Sequence, residues 1–209
     1  MFAYKGTGVR IAVIIAAFAT IACVGTTNAH AQKNRQYVAV GDNTRPPIGW
    51  VQFCEARPWE CNVQRVQPRD VQFTAQAKRE LERINRFVNE RIKPITDLEH
   101  YGVVEKWTYP EDGYGDCEDY VLLKRRMLMQ LGWPRSALLI TVVRDKKGEG
   151  HSVLTVRTDK GEFVLDNQVE EVLPWAETGY RYIKRQAQHD PNLWVSLGDD
   201  RPTPFVAAR

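Results

Sequence analysis

The chain of 209 residues has no internal repeat and no low-complexity tract, and its one long apolar run lies at its very beginning. Repeat architectures, collagen-like chains and wholly disordered chains are thereby excluded, as is a bundle of membrane spans. No charge sign is in excess: 29 Lys plus Arg stand against 26 Asp plus Glu, a net charge of +3. No basic residues segregate into a patch, so no nucleic-acid partner is expected. Cysteine and histidine are scarce, four of each, and too scattered for a zinc site. What is present is ordinary for a soluble globular protein: 43% hydrophobic, 26% charged and 10% aromatic residues, enough for one or at most two domains with a real core.

The apolar run belongs to an address label. Lys5 and Arg10 precede the stretch Ile11 to Val24, and Ala29-His30-Ala31 supplies the small-x-small pattern of a signal-peptidase site. The stretch is short for a membrane anchor, and Thr20 stands where a lipobox before Cys23 would carry Leu. Residues 1–31 therefore read as a cleaved export signal. Cleavage removes Lys5 and Arg10 and no acid, lowering the net charge from +3 to +1. The mature protein is expected in the periplasm or outside the cell.

Export makes the remaining cysteines informative, because an oxidising compartment favours disulfides. Of Cys54, Cys61 and Cys117, the first two flank a short segment in which Pro58 favours a turn, so pairing them is the economical choice. Cys117 is then the free thiol, either a buried structural cysteine or a reactive one.

Residues 32–49, with Pro46-Pro47, read as a linker or N-terminal arm, and Pro58 and Pro68 oppose regular structure between 50 and 70. From Thr74 to Ile92 the spacing of Ala77, Leu81, Ile84, Val88 and Ile92 predicts an amphipathic helix that Pro94 stops. A second helix is predicted from Asp116 or Cys117 to Leu131. Strands are predicted over 137–143, 151–157, 162–166 and 180–184, and the tail 201–209 is expected to fray. Helices followed by an antiparallel sheet imply an α+β domain over 50–200.

The chemistry gathers on three residues. Gly113-Tyr114-Gly115-Asp116 delivers Cys117 to a first helical turn, where free N–H groups and the helix dipole favour a thiolate and can hold an oxyanion. His151 opens a strand at the sheet edge. A hairpin turning at Asp159-Lys160 pairs Thr158 with Gly161 and hence Val153 with Asp166, which puts His151 and Asp166 on one face as diagonal neighbours. Nucleophile, base and orienting carboxylate are then at hand. A register slip of one residue would separate them, and Asp166 would then be a strand-ending turn residue.

Gly115-Asp116-Cys117-Glu118-Asp119-Tyr120, the His151-Ser152-Val153-Leu154 strand and Val164-Leu165-Asp166-Asn167, in this order, resemble the bacterial transglutaminase-like cysteine proteinases. Phe53-Cys54 and Pro58-Trp59-Glu60-Cys61 are similar to the same family's N-terminal segment, and the likeness runs from about Trp50 to Leu197. The resemblance implies a papain-like, transglutaminase-like α+β fold, with Cys117 as nucleophile, His151 as base and acid, and Asp166 as orienter. It implies a protein substrate, which in the best-understood branch is a large surface adhesin, and an inner-membrane regulatory receptor. The sequence itself does not say which protein would be cut.

Asp116, Glu118 and Asp119 crowd Cys117 with negative charge, which raises a thiol pKa and opposes the dipole. Ca²⁺ would relieve that conflict, and the family resemblance assigns the calcium site to Asp116 and Glu118. Helix capping by Asp116, with the other acids complementing the dipole, is the alternative. Peptide hydrolysis through an acyl-enzyme is the expected reaction. Glutamine acyl transfer would use the same three residues, and an exported binding module with an occluded triad would use none of them.

Overall fold

The computed structural model describes residues 1–3 and 36–199. Almost all of the expected export signal and the whole tail 201–209 lie outside the described residues. In chain order the main elements are β1 (Ala39–Thr44), α1 (Ile48–Ala56), α2 (Pro58–Cys61), α3 (Ala75–Arg91), β2 (Lys93–Pro94), α4 (Asp97–Tyr101), β3 (Tyr114–Gly115) and α5 (Cys117–Gln130). They continue with β4 (Leu138–Arg144), β5 (Gly150–Thr158), β6 (Gly161–Leu165), β7 (Leu173–Pro174), β8 (Arg181–Ala187) and β9 (Asp190–Gly198).

Seven strands form an antiparallel sheet in the order β1-β9-β8-β4-β5-β6-β7. This is the α+β architecture expected from helices preceding a meander of strands. One face of the sheet carries the helices. Leu81, Ile84 and Val88 of α3 and Tyr120, Leu122 and Leu128 of α5 pack with Leu154 and Val156 of β5 in the main core. The opposite face holds a smaller cluster of Val143, Val153, Val164, Trp175, Tyr180 and Tyr182. The period-2 alternation of β5 thus feeds two cores.

Helix α3 begins where Thr74 caps it, the Thr74 side chain accepting from the Ala77 N–H. Its buried stripe contains one polar residue, Asn85, fully enclosed. The pair β2–β3 runs parallel and ties the loop before Cys117 to the end of α3. The disulfide between Cys54 and Cys61 is formed, with Cα atoms 5.5 Å apart, and joins α1 to α2.

Three segments differ from the sequence reading. Within 32–49, read as linker or arm, residues 39–44 form the edge strand β1 against β9. Helices α1 and α2 occupy a stretch where Pro58 was expected to oppose regular structure; Pro58 is the first residue of α2, where its missing N–H is not needed. Strand β9 was not foreseen; its Trp194 and Leu197 face opposite cores. The β5–β6 hairpin has the expected register, Thr158 opposite Gly161 and Leu154 opposite Leu165. Gly161 has φ +118° and lies under the Gln36 carbonyl, so a side chain there would be strained and would collide with the backbone.

Candidate active site

Cys117 is the first residue of α5, and its N-cap position is taken by Asp116. The Asp116 side chain does not cap the helix, and its Oδ1 is buried with no hydrogen-bond partner among the described residues. The Cys117 Sγ accepts the Ser152 N–H at 3.3 Å and donates to Glu118 Oε2 at 3.1 Å. Burial pushes the thiol pKa well up, and the Glu118 and Asp116 carboxyls push it further against the opposing Ser152 amide. The resting thiol is therefore protonated despite the helix dipole.

His151 is the second residue of β5, and the hairpin register carries Asp166, just past β6, to its side. His151 Nε2 meets Asp166 Oδ1 at 2.8 Å in a pair that is nearly fully enclosed. Burial alone would raise the Asp166 pKa, but hydrogen bonds from His151 and Tyr180 hold it below the usual carboxylate range. The structure brings His151 and Asp166 together, and the Ser152 contact sets the thiol beside the strand that carries His151. No hydrogen bond joins the thiol to the imidazole among the described residues; Glu118 holds it instead.

Asp166 is held from three further directions that sequence reasoning did not reach. Its N–H donates to Asn85 Oδ1 at 3.1 Å, its carbonyl accepts from Asn89 Nδ2 at 2.8 Å, and the Tyr180 hydroxyl donates to Oδ2 at 2.5 Å. Asn85 also donates to the carbonyls of Val169 and Glu170, which explains a buried amide in an apolar stripe. A polar residue interrupting the α3 periodicity was the visible signal; nothing in the sequence marked Tyr180.

The acids around Cys117 divide into two roles. Asp116 and Glu118 join Asp97, the first residue of α4, in a cluster whose ligand atoms lie within 4.8 Å of one another. Burial is the largest cause that raises the pKa of Asp116, to about 6, and of Glu118, to about 9; Asp97 repels Asp116, Asp116 repels Glu118, and Glu105 adds to the negative field around both, while a hydrogen bond with Glu118 partly offsets the rise at Asp116. Asp97 is raised by burial too, although it accepts from the Lys106 N–H. Asp119 stands apart. Its Oδ1 accepts the Thr108 N–H at 2.7 Å, and its carboxyl packs on Gly115, where a Cβ would come within 2.7 Å of Oδ2. Burial pushes its pKa up to about 8. Three converging carboxylates and the orphaned Asp116 oxygen form an oxygen-rich set of the kind a hard cation takes. Asp97, 19 positions before Asp116, was outside any local motif. Trp107, which precedes this loop, is buried against Gly49 and belongs to the core.

Comparison with protein families matches residues 40–202 to the bacterial transglutaminase-like cysteine proteinases. The chain belongs to this family. As a member it is a cysteine peptidase of transglutaminase-like fold. No curated protein sequence matches. Among solved structures, calcium-bound Legionella pneumophila LapG is similar at 23% identity and a TM-score of 0.50, over 63% of this chain and 75% of that one. LapG of the same organism in another structure aligns at 25% identity and a TM-score of 0.48, over 56% of this chain and 68% of that one. EGTA-treated LapG aligns at 24% identity and a TM-score of 0.48, over 59% and 72%. The calcium-bound likeness supports the fold that the family match names.

Proposed function

We propose that this transglutaminase-like cysteine peptidase hydrolyses an exported protein through Cys117, His151 and Asp166. The observation that carries this reading is the enclosed His151–Asp166 pair on a strand whose next amide binds the Cys117 sulfur. Asp166 engages Nε2, which leaves Nδ1 as the nitrogen for the thiol. Nδ1 takes the thiol proton as Sγ attacks the scissile carbonyl carbon, and the oxyanion is held by N–H groups of the first turn of α5. The imidazolium then gives its proton to the departing amine, leaving a thioester that water hydrolyses with His151 again as base. The thiol must leave Glu118 to begin this sequence, a rearrangement in keeping with catalytic hydrogen bonds that tighten only when substrate is bound.

Asp97, Asp116 and Glu118 suit Ca²⁺. When bound there, the ion would supply positive charge that offsets the Glu118 and Asp116 carboxyls, which add to burial in raising the thiol pKa. LapG has been solved in a calcium-bound form, which supports the same reading for this relative. The export signal read over residues 1–31 gives a periplasmic or secreted protein, and the family resemblance gives a large surface adhesin as substrate and an inner-membrane receptor as regulator.

The test is incubation of wild-type and Cys117→Ala protein with exported proteins of the same cell, with and without a calcium chelator, followed by mapping of new termini. New termini made only by the wild type in calcium are expected. Cleavage by Cys117→Ala would overturn the nucleophile, isopeptide links in place of new termini would make the enzyme an acyltransferase, and indifference to chelation would remove calcium.

A further inference from the structure

Asp166 offers two carboxylate oxygens, and only one of them serves His151. Oδ1 meets His151 Nε2 and also accepts the Gln168 N–H at 3.0 Å. Oδ2 is taken by the Tyr180 hydroxyl. Tyr180 comes from the loop before β8, 14 residues further along the chain, so it is no part of the hairpin that pairs His151 with Asp166. Its ring stands edge-on to the imidazole, centroids 5.7 Å apart and planes at 83°. The residue is buried, 3% exposed, in the smaller core. One tyrosine thus touches both members of the pair, the carboxylate through its oxygen and the imidazole through its ring.

The backbone of Tyr180 is itself held. Its N–H donates to Thr178 Oγ1, and that hydroxyl donates to the Trp175 carbonyl. A phenol so held defines the rotation of the Asp166 carboxylate about its Cβ–Cγ bond, because a carboxylate with one oxygen fastened cannot turn without breaking that bond. Burial and the Asp166 charge keep the Tyr180 hydroxyl protonated, so it remains a donor throughout the working pH range.

We infer that Tyr180 is a positioning residue of the peptidase, acting through Asp166 to aim His151 at the thiol. This inference rests on the triad proposed above. Loss of a hydrogen bond from a neutral donor to a buried carboxylate, where that bond fixes the geometry of the pair, corresponds to roughly a 10- to 100-fold loss of rate.

The test uses the rate at which iodoacetamide alkylates Cys117 in the intact protein in calcium, a readout that requires no knowledge of the natural substrate. Tyr180→Phe keeps the ring and its edge-on contact while removing the hydroxyl. It is expected to alkylate roughly 10-fold or more slowly than wild type, while still unfolding in one cooperative transition with a melting temperature lowered by no more than about 10 °C. Because Tyr180 acts through Asp166, the double variant Tyr180→Phe/Asp166→Asn is expected to be no slower than Asp166→Asn alone. A wild-type rate in Tyr180→Phe, or losses that multiply in the double variant, would overturn the inference while leaving the triad standing. A wild-type thiol no more reactive than free cysteine would instead overturn the triad, and the inference with it. Tyr180→Leu, which removes ring and hydroxyl together, guards against a folding effect. If its alkylation loss is accompanied by a fallen melting temperature and Tyr180→Phe shows neither, the tyrosine is structural only.

Discussion

Raising the pH of the calcium-free protein from 5 to 7 should destabilise it, against the usual behaviour of a protein rich in carboxylates. Asp119 has an ordinary pKa of about 3.9 in the unfolded chain and about 8 in the fold, where burial is the largest cause of the rise. Between those values the native state holds a proton that the unfolded chain has released. Stability from this group is therefore fully present only below the unfolded value and is lost as pH rises towards the folded one. Two pH units inside this window amount to about 2.7 kcal/mol for one group. Glu118, raised by burial and by Asp116, titrates in the same direction. Water entry and rotation of the freed side chains reduce the combined effect, so a net loss of about 2–4 kcal/mol is expected, or roughly 5–15 °C in melting temperature for a domain of this size. Calcium should reverse the trend. Its ligands must be deprotonated, so the stabilisation by added Ca²⁺ is expected to be small at pH 5 and large at pH 7. Thermal unfolding of EDTA-treated and calcium-loaded protein at both pH values measures this directly. A calcium-free melting temperature that is flat or rises from pH 5 to pH 7 would refute the electrostatic argument. A calcium shift of equal size at both pH values would refute the assignment of the cation to these carboxylates.

Other expectations concern single contacts. Asp166→Asn leaves the size of the side chain but weakens its hold on His151, so kcat should fall much more than KM changes; a pure rise in KM would argue against an orienting role. Asn85→Ala abandons the Asp166 N–H and two carbonyls in a buried site, and is expected to cost about 2–4 kcal/mol in urea unfolding, with a loss under 1 kcal/mol counting against those bonds. Replacing Cys54 and Cys61 together by Ser opens a short loop and should lower stability by about 2.5 kcal/mol while sparing turnover at low temperature, since the bridge joins α1 to α2 and neither helix carries a residue of the proposed triad.

The proposed calcium site and the proposed nucleophile meet in one contact. The hydrogen bond from Cys117 to Glu118 joins the proposed nucleophile to a member of the acidic cluster.

Local signals were legible in the linear chain. The three-and-four spacing from Ala77 to Val88 predicted α3, and glycines followed by Asp116 predicted the start of α5 at Cys117, because both depend on the 3.6-residue period and on end effects within a few residues. The turn at Asp159-Lys160 was enough to set the register that pairs His151 with Asp166, since a short hairpin leaves little freedom in pairing. The Cys54–Cys61 bridge was equally local. Only packing decided the rest. Asp97 reaches Asp116 and Glu118 because β2 and β3 pair in parallel and the two segments leave the pair at the same end, and Asn85 and Tyr180 meet at Asp166 from a helix on one face of the sheet and a loop on the other. Such meetings are set by how whole elements stack, and burial then supplies the pKa shifts, so neither the full acidic cluster nor the shell around Asp166 has any signature in residue spacing.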